Sequence, residues 1–269
     1  MEKVGFIGGG QMAEAIIKGG LAAAVFKGEE VVVSEPSESR RAFLAEKYGV
    51  EVLFDNLKLI ERCAVVILAV KPQIVPQVLS EIRTKVEERQ PLLISIAAGV
   101  TLSQMTQFLG EGARLVRVMP NTPALVLAGV SALCKGPGAS EDDLKTAEKI
   151  FSALGEVVRL PETLFDAVTG LSGSGPAYVF AFIEALVDGG VKEGLPREVA
   201  EKLAVETVFG AAKLMKETRK DPYALKAMVT SPGGTTIAGL KALADRSFHG
   251  TVMEAVSAAT RRSRELGKD

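Results

Sequence analysis

Cysteine and histidine are scarce in this sequence. Its two cysteines, Cys63 and Cys134, stand alone, so neither a disulfide framework nor a metal site is expected. Both fall in or beside apolar strand-like runs and read as buried thiols. The single histidine, His249, lies in Arg246-Ser247-Phe248-His249-Gly250 and reads as an exposed turn residue before the last helix, which leaves the chain without the usual general acid. Net charge is only −1, which argues against a general electrostatic role on nucleic acid or an anionic membrane. No apolar run approaches the roughly 18 residues that a membrane-spanning helix needs. The chain enters strand-like Lys3-Val4-Gly5-Phe6-Ile7 at once, with no signal-peptide pattern, so a soluble cytoplasmic protein is expected. Repeats and low-complexity tracts are also missing.

What is present is apolar and ordered. The 269 residues are 47% hydrophobic with mean hydropathy +0.23, enough for one sizeable core or two. Up to about residue 160, β-branched runs alternate with helical patterns. Strands are predicted at 4–8, 31–34, 64–70, 92–96, 115–119 and 130–134, and helices near 11–25, 37–48, 73–88, 102–109 and 141–153. Such alternation predicts a mainly parallel sheet covered on both faces. After Pro161 strand signals fade, and helices are predicted at roughly 163–191, 197–218, 222–229, 234–245 and 250–266. The fold class is therefore an α/β dinucleotide-binding domain over 1–161 followed by an all-helical domain over 162–269. The segment 177–187 (AYVFAFIEALV) is apolar nearly all round and must be covered on most sides. A helical domain of this size is too small to do that alone, so an oligomer packed through its helical domains is expected.

The dinucleotide assignment rests on Ile7-Gly8-Gly9-Gly10-Gln11-Met12-Ala13, which follows the first strand and opens the first helix. It fits G-x-G-x-x-A, the fingerprint of a Rossmann-type site: Gly8 for the tight turn, Gly10 for approach of the pyrophosphate, Ala13 for helix–strand packing. The end of the second strand, Ser34-Glu35-Pro36-Ser37-Glu38-Ser39-Arg40-Arg41, should meet the adenosine ribose. Glu35 there favours NAD; Ser34, Ser37, Arg40 and Arg41 favour the 2′-phosphate of NADP. The choice stays open on these residues. Two further strand ends belong at the ligand edge of such a sheet. In Ala69-Val70-Lys71-Pro72, Lys71 reads as a cofactor and loop contact rather than a catalytic acid. Ile96-Ala97-Ala98-Gly99 offers small residues suited to a flat nicotinamide.

A second anion site is expected far along the chain, in Ser231-Pro232-Gly233-Gly234-Thr235-Thr236-Ile237-Ala238-Gly239-Leu240. Pro232 presets a turn, the glycines free the backbone, and two hydroxyls stand where a helix begins, with free N–H groups and a partial positive charge. A second Gly-rich helix start, Leu171-Ser172-Gly173-Ser174-Gly175-Pro176, places a proline for a first helical turn.

With these segments in view, the chain resembles the Δ1-pyrroline-5-carboxylate reductases. Matching segments include Val4–Gly8, Ala69–Pro72, Ala97–Thr101, Asn121-Thr122-Pro123, Phe165–Tyr178, Asp188–Val191, Gly194–Arg197, Gly210–Lys213 and Ser231–Ile237, and they span essentially the whole chain. The resemblance implies reduction of a cyclic C=N bond by NADPH, with NADH possible, in the last step of proline biosynthesis. It implies cofactor contacts at Ile7, Gly8, Gly9, Gly10, Gln11, Met12, Ser34, Glu35, Asn56, Ala69, Val70, Lys71, Pro72, Ile96, Ala97 and Ala98. It implies that Ser231, Gly233, Gly234, Thr235 and Thr236 hold the carboxylate of an imino-acid substrate. With His249 set aside, Thr236 is the candidate catalytic residue, since its hydroxyl can donate to the ring nitrogen and relay a proton from water. It also implies a homodimer through interlocked helical domains, further assembled in some members to decamers, with the two ligands brought together across subunits. Glu35 is a departure, since the family often carries a small hydroxyl residue there. A β-hydroxyacid dehydrogenase would need a Lys soon after a Gly-rich helix start, where this chain reads Pro176-Ala177-Tyr178-Val179-Phe180. A non-catalytic NADP-binding scaffold would leave the Gly233–Thr236 cradle without a purpose.

Overall fold

The structure, a computed structural model, describes residues 3–267; the expected domain ends at 1 and 269 lie outside that span. Contacts divide the chain into two compact units, one running to Gly173 and resuming at Ala259, the other Ser174–Ala258.

The first unit is built on an eight-stranded sheet: β1 (Val4–Ile7), β2 (Val31–Ser34), β3 (Glu51–Leu53), β4 (Val65–Leu68), β5 (Leu92–Ser95), β6 (Leu115–Met119), β7 (Gly129–Lys135) and β8 (Gly155–Arg159). Their spatial order is β3-β2-β1-β4-β5-β6-β7-β8, and every pair is parallel except β6 with β7. The order reverses between β1 and β4, which opens a crevice at their carboxyl ends. The helices α1 (Gln11–Ala22), α2 (Glu38–Tyr48), α3 (Asn56–Arg62), α4 (Val75–Arg89), α5 (Leu102–Leu109) and α6 (Glu141–Ser152) connect the strands. In β2, alternation sends Val31 and Val33 into one buried cluster with Phe6, Ile16 and Phe151, and Val32 into a second with Leu59, Leu79 and Ile82. The sheet is therefore covered on both faces.

The predicted strands and helices up to residue 153 all form, with ends shifted by up to three residues. Three elements were not foreseen. β3 and β8 are edge strands with little or no burial, so their sequences lack apolar alternation. The short α3 is started by Asp55, whose carboxylate accepts from the N–H groups of Leu57 and Lys58.

The predicted helix 163–191 is not continuous. It consists of a 3₁₀ turn, α7 (Phe165–Val168), a π-helical turn (Thr169–Gly173) and α8 (Gly175–Lys192). The division between compact units falls after this π turn. Phe165 is buried among the core residues of the first unit, and Ser263 Oγ donates to Asp166 Oδ1 at 2.7 Å. The C-terminal turns of the last helix thus belong with the sheet.

The second unit comprises α8, α9 (Arg197–Thr218), α10 (Pro222–Met228), α11 (Thr235–Asp245) and the first part of α12 (Phe248–Leu266). α8 and α9 pack closely where Gly190 meets Ala200; a Cβ on Gly190 would come within 3.1 Å of the Ala200 Cβ. Yet its buried hydrophobics are only Val187, Ala200 and Ala204. Val179, Phe180, Phe182, Leu203, Phe209 and Met215 are exposed. The stretch 162–192 is long and apolar enough, by length and composition, to cross a membrane. Thr169, Ser172, Ser174 and Pro176 interrupt it, so it holds no uninterrupted apolar run of that length. His249 is exposed as expected, but it lies in the first turn of α12 and not in a turn before it.

Candidate active site

The first crossover builds a nucleotide loop. Gly8 has φ +95°, and a Cβ there would sit 2.8 Å from the Ala69 carbonyl, so both conformation and space demand glycine. Gly8 N–H donates to the Ser34 carbonyl and Ala69 N–H to the Ile7 carbonyl, fixing the loop on the ends of β1, β2 and β4. Gly10 is exposed, with nothing within 4 Å of its Cβ position. It is also the N-cap of α1, and no side chain caps that start. The first-turn N–H groups of Gln11 and Met12 therefore face a space able to take a phosphate. Ala13 is fully buried against the sheet, as the fingerprint requires.

A polar lattice surrounds this loop that sequence reasoning did not foresee. Arg40 donates from Nε to the Gly9 carbonyl at 2.5 Å and from its NH2 group to Gly10 and to Glu14 Oε2. Glu14 also accepts from Lys47 and from the Tyr48 hydroxyl. Burial alone would raise the Glu14 carboxyl, but the bonds from Tyr48, Arg40 and Lys47 outweigh it and lower the pKa from 4.5 to about 2. Its only sequence signal is an acid in the first turn of α1. Glu35 Oε2 accepts from Gly9 N–H at 2.8 Å and Oε1 from Ser37 N–H at 2.9 Å. Asn56 accepts from the Ser34 hydroxyl at 2.7 Å and donates to Glu81 at 3.0 Å.

The other two strand ends lie on the same carboxyl edge. Lys71 is exposed and precedes Pro72, which opens a 3₁₀ turn leading into α4. Ala69, Val70 and Ile96 are half-buried and Ala98 is exposed, whereas Ala97 is buried. Ala98 rather than Ala97 thus presents its methyl group at that edge. The π turn lies there too, since a Cβ on Gly173 would come within 2.9 Å of the Met119 side chain at the end of β6. Behind it, Arg117 on β6 is 4% exposed and donates to Glu162 Oε1 at 2.7 Å; the same oxygen accepts from Leu102 N–H. The Arg117 guanidinium also lies 4.9 Å from the Phe165 ring centroid. An arginine inside an apolar strand was the only sequence hint of this pair. Burial pushes the Cys63 thiol up to about 11 and the Cys134 thiol up to about 12, so both remain protonated near neutrality.

In the helical unit the segment expected to form the cradle makes a helix start. Gly233 has φ +68°, Gly234 is the N-cap, and α11 begins at Thr235. A Cβ on Gly234 would lie 2.3 Å from the Ser231 hydroxyl, so a side chain there would force Ser231 to turn away. Gly234 N–H donates to the Ser231 carbonyl. Thr218, Thr230 and Thr251 each turn the hydroxyl back onto a carbonyl of the preceding turn. Thr235 and Thr236 do not, and their hydroxyls have no partner among the described residues. Thr235 is exposed and Thr236 half-buried.

The fold and the glycine loop define a dinucleotide-binding α/β protein with an appended helical unit, the plan of a nicotinamide-dependent oxidoreductase. Family models divide the chain in two: "NADP oxidoreductase coenzyme F420-dependent" matches residues 3–99, and "Pyrroline-5-carboxylate reductase dimerisation" matches 162–266. A pyrroline-5-carboxylate reductase of Synechocystis is 49% identical over 99% of this chain and 98% of its own length. Among solved structures, one from Coxiella burnetii aligns at TM-score 0.94 and 38% identity, covering 100% of this chain and 99% of its own. A second, pyrroline carboxylate reductase of Plasmodium falciparum with NADP bound, aligns at TM-score 0.88 and 36% identity, covering 99% and 98%. The chain belongs to the pyrroline-5-carboxylate reductase family.

Proposed function

We propose that this chain reduces Δ1-pyrroline-5-carboxylate to L-proline at the expense of NAD(P)H, the last step of proline biosynthesis. The observation that carries the reading is the pairing of two uncapped helix starts in one chain. The start at Gly10 has room for a pyrophosphate; the start at Gly234 carries two unengaged hydroxyls.

The residues around Gly10 fit a dinucleotide, because the space that a Cβ would fill is open and the N–H groups of Gln11 and Met12 are available. Gly8, Gly9, Gly10, Gln11 and Met12 hold the pyrophosphate in this reading. Ser34, Glu35 and Asn56 lie toward the adenosine end, and Ala69–Pro72 with Ile96–Ala98 toward the nicotinamide end. When bound, the reduced nicotinamide supplies the hydride that forms the new C–H bond. The chain's task at the cradle is to hold the substrate. The N–H groups at the start of α11 and the Thr235 hydroxyl bind the carboxylate, aided by the helix dipole and flanked by Ser231, which leaves the Thr236 hydroxyl for the ring. Thr236 Oγ1 hydrogen-bonds the ring nitrogen and orients the C=N bond. A hydroxyl is a weak acid, so the proton that completes the N–H bond comes from water, and Thr236 positions rather than ionises.

The sparse core of the helical unit supports a homodimer through that unit, with decamers as a further assembly, and Val179, Phe180 and Phe209 among the residues it covers. Sedimentation velocity tests the stoichiometry. A cytoplasmic location, with a small imino acid as partner and neither nucleic acid nor membrane, accords with the balanced charge. The activity itself is tested by mixing purified protein with pyrroline-5-carboxylate and following absorbance at the reduced-nicotinamide band with NADPH and NADH separately. No oxidation with either would overturn the reading.

A further inference from the structure

Glu35 stands at the position where an acid meets the adenosine ribose in dinucleotide-binding sheets. Its carboxylate is not free to turn away. Gly9 N–H donates to Oε2 at 2.8 Å and Ser37 N–H to Oε1 at 2.9 Å. Moving the side chain would strip both backbone groups of their acceptor. A carboxylate offers about four acceptor sites, so two remain for a ligand. A ribose 2′-hydroxyl has a proton to donate to them. A 2′-phosphate carries a charge of about −1.5 to −2 near neutrality and meets the same oxygens as a like charge.

The two neighbouring arginines are held by other acceptors. Arg40 is tied to the Gly9 carbonyl and to Glu14 Oε2 at 2.6 Å, with its guanidinium stacked over Phe43. Arg41 donates to the carbonyls of Glu35 and Pro36 and lies over Phe54. The Ser37 hydroxyl caps α2 through Arg40 N–H. Nearby, Asn56 is held by a second carboxylate, Glu81. The end of β2 therefore fixes a carboxylate where a 2′-phosphate would sit, with both neighbouring arginines bonded to other groups.

We propose that Glu35 is the residue that discriminates against the 2′-phosphate in this chain, so that it binds NAD(H) at least as tightly as NADP(H). The proposal rests on the dinucleotide site described above. The test is calorimetric titration of the full-length protein with NAD+ and NADP+, without substrate, for the wild type and for Glu35→Ser and Glu35→Gln. The wild type should bind NAD+ at least as tightly as NADP+. Glu35→Ser should shift the ratio of the two dissociation constants toward NADP+ by about tenfold or more, close to 1.4 kcal/mol. Glu35→Gln, which keeps the size and loses the charge, should shift it the same way. A wild-type preference for NADP+, or a shift below tenfold in both variants, overturns the assignment. Failure of the wild type to bind either nucleotide would instead refute the dinucleotide site, and with it this proposal. Arg41→Ala should leave the wild-type ratio unchanged; a large loss of NADP+ binding alone would show that Arg41 supplies a phosphate site and would count against Glu35.

Discussion

Replacing Glu162 by alanine removes the acceptor that meets both the Arg117 guanidinium and the Leu102 N–H. The Arg117 side chain is 5% exposed, so the charge left behind has almost no access to water. Removing one partner of a buried pair costs about 3–5 kcal/mol. Glu162 itself is 28% exposed, which lets solvent enter the vacated space and places the expected loss at the lower end, about 3 kcal/mol. At about 2–4 °C per kcal/mol, the melting temperature should fall by about 6–12 °C. Urea unfolding and thermal melts followed by circular dichroism measure the two quantities, at one fixed protein concentration because an oligomer's stability depends on it. The control is the double variant Arg117→Met with Glu162→Leu, which removes both charges and keeps apolar bulk beneath Phe165. It should recover most of the loss, since a buried pair replaced as a whole is often neutral or better. A loss under about 1 kcal/mol for Glu162→Ala, or a double variant as unstable as the single one, would refute the claim that this pair pins the 162–173 segment to β6.

Two further outcomes follow from the site. Thr236→Ala should lower turnover by roughly ten- to a thousandfold while leaving nucleotide affinity unchanged; full turnover in a steady-state assay would remove Thr236 from the mechanism. Glu14 should confer an acid limit: its folded-state carboxyl is depressed to about 2 from 4.5, so its contribution is complete above that ordinary value and is lost as pH falls from 4.5 to about 2. Thermal melts of wild type and Glu14→Gln should differ near neutrality and converge across that window; curves that stay parallel down to pH 2 would sink the assignment.

Sequence reasoning reached the elements with strong local signals. Val31-Val32-Val33 announces a buried central strand, the glycine loop places itself between strand and helix, and Asp221-Pro222 starts α10 where expected, the aspartate accepting from Tyr223 and Ala224 N–H. It missed elements whose cause is tertiary. β3 and β8 form because an existing sheet offers them an edge, not because their own residues alternate. The π turn at 169–173 reads as ordinary helix in composition; Gly173 packs against Met119, far away in sequence. Glu35 could be placed at the end of β2 from spacing alone, but its commitment to Gly9 and Ser37 N–H depends on where two loops meet. The partners of Arg40 and Arg117 were likewise beyond any local pattern, since Glu14 and Glu162 lie 26 and 45 residues away.

The two units also differ in what holds them together, and that difference bears on how activity should fail. The sheet unit has buried clusters on both faces and needs no partner to exclude water from them. The helical unit buries only Val187, Ala200 and Ala204 and leaves Phe180 66% and Phe209 61% exposed, too little core for about 85 residues to fold as a separate body. The Gly233–Thr236 helix start belongs to this second unit, so its geometry depends on whatever covers those apolar faces. Nucleotide binding should therefore outlast catalysis when the protein is diluted below its assembly constant. Dilution series read by NAD(P)H fluorescence and by turnover should separate, with turnover per subunit lost first and restored on concentration. Parallel loss of both would mean that the sheet unit also depends on assembly, and turnover that is independent of concentration down to the monomer would mean that the cradle is held by the single chain after all.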